Sequence, residues 1–173
     1  DLEPPANRFR YSRGDVIAYT GESGAGPPHL HMELRTGVTG LYPLRHGLPG
    51  KDEMIPLNRA LWIYPASPGA RVEGSPAPLR LPVERLATGR DRLARSVRVS
   101  GEVRAALEAQ DRSPGKATPL GVYEIGAMLD SSSVYLARLD SISWLETREV
   151  KVVFDPRVRA AGTKRAYSLT PPA

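Results

Sequence analysis

The feature that most restricts this fold is a run of short period-two segments cut by turn signals about every ten residues. Val97, Val99, Val103, Ala105 and Leu107 alternate with polar or charged neighbours. Tyr123, Ile125, Ala127 and Leu129 do the same, and Asp130-Ser131-Ser132-Ser133 then reads as a turn into a return strand opening with Val134-Tyr135-Leu136. Val150, Val152 and Phe154 predict a further strand, and Tyr167 and Leu169 a last one. Alternation puts one side chain in two on the same face, the signature of half-buried β-strands. The pattern predicts an all-β chain whose second half is an immunoglobulin-like β-sandwich. Asp91 to Ala109 could form a charged helix instead, but Gly101 and the β-branched valines argue for strand.

Ahead of this region, Ile63 to Pro82 carries Pro65, Pro68, Pro76, Pro78 and Pro82 and reads as a linker containing a strand. The expected organisation is therefore a first unit over 1–62, a Pro-rich linker and first strand over 63–90, and a β-sandwich over 91–173. The opening stretch is extended, because Pro4-Pro5 forbid a helix interior and Phe9 and Tyr11 alternate with Arg8, Arg10 and Ser12. Arg13-Gly14-Asp15 is a turn, and its likeness to an adhesion tripeptide is set aside as a common accident. Val16 to Tyr19 is expected to be a short buried strand, followed by a loop from Thr20 to Pro28 with three glycines and two prolines. That loop lets backbone pass close to a ligand, or simply joins two strands. No helix follows it and no Lys-Ser/Thr closes it, so it does not cradle phosphate.

The chemistry concentrates just beyond the loop. The chain has three histidines, and His29 and His31 stand two apart. On a strand they would project to one side and Leu30 to the other. Paired imidazoles can hold a metal with one ring and move a proton with the other, or can be two surface side chains. His46, alone in a Gly/Pro-rich stretch, is expected at the surface.

The run Gly14 to Arg35 resembles the lysostaphin-type, or LytM-type, zinc metallopeptidases that cut peptide cross-links in bacterial cell walls. Gly14, Ile17, Gly21, Gly26, Pro28, His29, Leu30, His31 and Glu33 fall in step with that family's pattern, with Pro27 added and Met32 in place of an aromatic residue. Pro56-Leu57-Asn58 with Leu61-Trp62 is similar to the element that closes the catalytic domain. Gly121-Val122-Tyr123-Glu124-Ile125, Asp130 and Phe154-Asp155 more weakly resemble a β-sandwich that follows it in larger relatives.

The resemblance implies the C-terminal half of a LytM-type (duplicated hybrid motif) β-sheet domain and a peptidoglycan endopeptidase acting in the cell envelope, periplasmic or secreted. It implies Zn2+ bound through His31, His29 as the catalytic imidazole, Glu33 orienting a ring through its free N–H, and Gly24, Gly26 and Pro28 in the substrate loop. Three protein ligands and an open fourth position are what such zinc chemistry needs. The family's other ligands, a His and an Asp earlier in the chain, have no counterpart among the 28 residues before His29. The chain, which starts at Asp1 rather than Met, is therefore expected to be a fragment, inactive alone, whose partner is the missing N-terminal half. The competing reading is a non-catalytic LytM-like module that binds cell-wall amidases or glycan. A biotinyl- or lipoyl-carrier hairpin is disfavoured because the first lysine is Lys51.

Composition bounds the remainder. With no cysteine there is no disulfide framework or thiolate chemistry. No apolar run approaches the roughly 20 residues that span a bilayer. The net charge of +5 raises the question of nucleic acid, but the arginines are scattered without a dense block or aromatic interleaving and read as a solvated surface, so no nucleic-acid partner is expected.

Overall fold

The structure is a computed structural model that describes residues 5, 8–21, 28, 30, 32–48, 53–113, 119–149, 153–160 and 165–170. Strands make up 46% of it and helices 8%, so the expected all-β class holds. The chain divides into two compact units, Asp1–Glu33 and Leu34–Ala173.

The second unit is built on β3 (Leu57–Pro65), which is hydrogen-bonded on both sides. It pairs antiparallel with β8 (Val103–Arg112) and with β5 (Leu79–Arg85). β6 (Asp91–Leu93) extends the sheet beyond β5, and β13 (Ala166–Ser168) extends it beyond β8, giving the order β13-β8-β3-β5-β6. β9 (Pro119–Leu120) also pairs with β8. A bulge at Arg59 puts Asn58 opposite Ala109 and Ala60 opposite Glu108. Three smaller pairings complete the unit. β1 (Leu34–Thr36), β2 (Thr39–Leu41) and β12 (Ser141–Ser143) form one sheet in the order β1-β2-β12. β10 (Glu124–Leu129) and β11 (Ser132–Arg138) form a hairpin, and β4 (Arg71–Val72) pairs with β7 (Val99–Ser100). Among the described residues no helix is long and apolar enough to cross a membrane.

Alternation along β3 and β8 gives the main sheet two apolar faces. On one, Tyr64 and Ala106 pack with Ala166 and with Val158 from the short helix α1 (Pro156–Ala160), and Trp62 lies against them. On the other, Ala109 and Tyr167 pack with Val122 and Ile125, flanked by Leu107, Tyr135, Ala137 and Phe154. Ile125, Tyr135 and Ala137 belong to the hairpin, so its inner face supplies much of that second cluster. Burial of this kind is worth about 25 cal/mol per Å2 of apolar surface, and it explains why the period-two segments settle as strands rather than as a helix over Asp91 to Ala109.

Two expectations differ from the structure. The boundary expected after residue 62 falls inside β3, whose register runs unbroken through Trp62↔Ala106 and Ile63↔Ala105. The prolines behind the linker reading lie elsewhere: Pro65 ends β3, Pro68 sits in the turn that follows it, and Pro82 is exposed within β5. Pro82 has no N–H to donate, and it stands where β5 is paired on one side alone, since β6 pairs only from Val83 onward. Val16 to Tyr19 forms no strand, and Val16, Ile17 and Tyr19 are 69%, 67% and 91% exposed. A strand exists only through a ladder partner, and none pairs with this run among the described residues. Val150 and Val152, read as part of a further strand, lie outside the described residues, and Phe154 makes only an isolated bridge to Tyr167.

Candidate functional site

In the first unit the described backbone is held by two i-to-i+3 hydrogen bonds, one from the Arg8 N–H to the Pro5 carbonyl at 3.1 Å and one in the turn before Asp15. Gly14 takes φ +101°, which a side chain would resist, and the Asp15 N–H donates to the Ser12 carbonyl at 3.1 Å. The Asp15 carboxylate accepts in return from the Ser12 N–H at 2.7 Å. This is the turn expected over Arg13-Gly14-Asp15.

His29, His31, Gly24 and Gly26, expected as catalytic residue, metal ligand and substrate loop, lie outside the described residues. Pro28 and Glu33, the remaining members of that set, are exposed; Glu33 immediately precedes β1. Leu30 and Met32 are exposed as well. His46 ends a 3-10 turn over Pro43–His46 and is exposed, as expected of a surface histidine. Among the described residues no group of three or more His, Cys, Asp or Glu side chains could hold a metal ion.

Three polar clusters of the second unit, none of them expected from the sequence, border β3. Glu108, opposite Ala60, is buried. It accepts from the Trp62 indole N–H and takes a two-pronged bond from Arg80, with Nε at 2.9 Å and Nη2 at 2.8 Å. The carboxylate holds the Arg80 guanidinium above its ordinary pKa, chiefly through this hydrogen bond. Asp155 is also buried. It accepts from the Tyr64 hydroxyl and, through Oδ1, from the N–H groups of Arg157 at 2.9 Å and Val158 at 3.3 Å. It thus caps α1, with Pro156 at the first helical position where a missing N–H costs nothing. The Arg157 guanidinium lies 5.0 Å over the Tyr64 ring. Burial first, and the bond to Asp155 second, push the Tyr64 phenol well above its ordinary range.

A third cluster joins β3, β5 and β6. Asp91 accepts from Arg85 Nε at 2.7 Å and from Asn58 Nδ2 at 2.8 Å, and Arg85 also donates to the Pro56 carbonyl. The bond from Arg85 holds the Asp91 carboxyl below its usual range.

Chemically these are clamps. Each carboxylate faces donors that fix it in place, whereas a general base must be free to take up a proton. The signal for one of them was available in the sequence, since Asp followed by Pro commonly opens a helix. Glu108 gave no such signal, because nothing in ALEAQD says that the polar side of β8 is also covered.

At the edge of the unit, Tyr42 stacks on Tyr123 with ring centroids 4.6 Å apart, and Tyr123 donates to Asp140. Nearby on β2, Gly40 leaves room for the Trp144 indole, whose Nε1 would lie 3.6 Å from an added Cβ, and Arg35 sits 5.0 Å over the same indole. No family model, no curated protein and no solved structure matches the chain.

Proposed function

We propose that this chain is the C-terminal portion of a zinc metallopeptidase of the lysostaphin or LytM type, a cell-wall endopeptidase working in the envelope on peptidoglycan peptides. One observation carries the reading: the nine positions from Gly14 to Glu33, centred on His29-Leu30-His31, that keep the family's residues and spacing. His31 is the zinc ligand, His29 the imidazole that holds or moves a proton, and Glu33 the carboxylate that orients a ring. Bound zinc would supply a water acidified to a pKa of about 7 and a Lewis acid for the scissile carbonyl.

The described residues complete no metal site, and two histidines fall short of the three ligands that catalytic zinc requires. No hydrolytic step is assigned to this polypeptide alone. The remaining ligands come from a β-rich segment outside these 173 residues. The exposure of Val16, Ile17 and Tyr19 supports that arrangement, because apolar residues with a strand pattern and no ladder partner among the described residues suit a half-domain awaiting its complement. In this reading the β-sandwich that follows the peptidase is residues 91–173, and Pro56-Leu57-Asn58 with Leu61-Trp62 closes the peptidase domain before it.

The shortage of ligands also favours a second reading, a non-catalytic LytM-like module that binds an amidase or glycan. Zinc calorimetry separates the two. A polypeptide that adds an upstream His-x-x-x-Asp segment should bind one zinc tightly and lose that site on His31→Ala, while the present chain binds weakly. Equal, weak binding by all three would sink the peptidase reading.

A further inference from the structure

We infer that the stretch Arg8-Phe9-Arg10-Tyr11-Ser12-Arg13 is a docking strip for an anionic lipid surface. The arginines of the chain are scattered, but here three of them interleave with two aromatic residues over six positions. Phe9 and Tyr11 are more than half exposed, and their rings stack at 6.3 Å with 25° between planes, so both project to the same side. Arg8 lies 5.3 Å over the Phe9 ring. Arg8, Arg10 and Arg13 are exposed, and among the described residues no carboxylate pairs with any of them. Arg80, Arg85, Arg95, Arg98 and Arg138, in contrast, each lie against a carboxylate. The turn at Ser12 to Asp15 fixes the end of the strip.

Two rings side by side, bordered by exposed guanidinium groups with no carboxylate against them among the described residues, match the boundary between lipid headgroups and acyl chains. Aromatic rings favour that level, and cationic side chains reach from it to anionic headgroups. Single-stranded nucleic acid offers the other common partner for arginine and aromatic residues, but it favours aromatics spaced along a basic groove. Here the two rings lie together at one place instead, 6.3 Å between centroids. The inference does not depend on the peptidase reading, since none of these six residues belongs to its site.

The test uses the full chain with phosphatidylcholine vesicles, with and without phosphatidylglycerol, read by co-sedimentation. Binding should require phosphatidylglycerol and weaken with added salt. Replacing all three arginines (Arg8→Gln, Arg10→Gln, Arg13→Gln) should reduce partitioning on the order of 100-fold, at about fivefold per basic residue. Phe9→Ser with Tyr11→Ser should also release the protein while leaving its circular dichroism unchanged. Equal binding to neutral vesicles, undiminished binding by either variant, or binding to oligothymidylate but not to vesicles would overturn the inference.

Discussion

Replacing Asp155 with alanine tests whether one buried carboxylate holds α1 to the main sheet. The substitution removes the cap of α1, where Oδ1 accepts from the Arg157 and Val158 N–H groups, and strands the buried Tyr64 hydroxyl. Loss of an N-terminal cap costs about 1 kcal/mol. A buried hydroxyl left without its partner costs about 2 kcal/mol more. The sum, about 3 kcal/mol, should lower the melting temperature by roughly 6–12 °C, taking 2–4 °C per kcal/mol for a chain of this size. Tyr64→Phe alone removes the donor but spares the cap, and should cost about 1 kcal/mol. The informative quantity comes from the double variant. Once Tyr64→Phe has removed the hydroxyl, nothing is orphaned there when Asp155 is lost and only the cap is forfeited, so the two costs should fall short of additivity by about 2 kcal/mol. Urea titrations of the four proteins, followed by tryptophan fluorescence and circular dichroism, measure this directly. Costs that add within about 0.3 kcal/mol would refute the coupling between the hydroxyl and the carboxylate.

Three further outcomes follow from the geometry. Gly101→Ala should destabilise by about 2 kcal/mol, since φ is +71° and the new Cβ would lie 3.0 Å from the Ala70 Cα; Gly74→Ala, at φ +76° with open space around it, should cost only the backbone part, about 1 kcal/mol, in the same denaturation assay. Glu108→Ala should cost about 2 kcal/mol in urea titration by leaving the Trp62 N–H unpaired and freeing Arg80, which is half-exposed and recovers part of its solvation. The Asp91 carboxyl titrates below its ordinary value of 3.8, so its stabilisation is present above that pH and fades as pH falls through the lower folded value; the stability gap between the parent and Asp91→Asn should therefore narrow in acid melts below pH 3.8.

Much of the strand content was legible because alternation and turn residues act locally. Ile125 is buried on β10, in the apolar half of the alternating run that begins at Tyr123, and Asp130 takes the positive φ of 53° that its turn needs. The role of Leu57–Pro65 was not legible. Pro56 and Pro65 at its ends and its mixed polarity resemble an edge or linker, and only its long-range partners, β5 and β8, make it central. Glu108 and Asp155 were missed for a related reason. A carboxylate in a strand reads as solvated, and an Asp before a proline reads at most as a helix cap, until the tertiary fold brings Trp62, Arg80 or Tyr64 to meet it. Tyr19 shows the reverse case: strand-forming residues are not buried unless a partner covers them. Of the expected site, Pro28 and Glu33 have a described place, and the histidine pair lies outside the described residues.

Both neighbours of β3 follow it in the chain: Ile63 pairs with Leu79 on one side and with Ala105 on the other. During synthesis, therefore, β3 leaves the ribosome with two bare edges, gains its first companion early and waits for the second until the far side of the long β8 has been made. Through that interval its amides and carbonyls can pair with any extended chain nearby. A chain stopped between β5 and β8 would keep that exposure permanently, and its fate would be aggregation rather than a smaller folded domain.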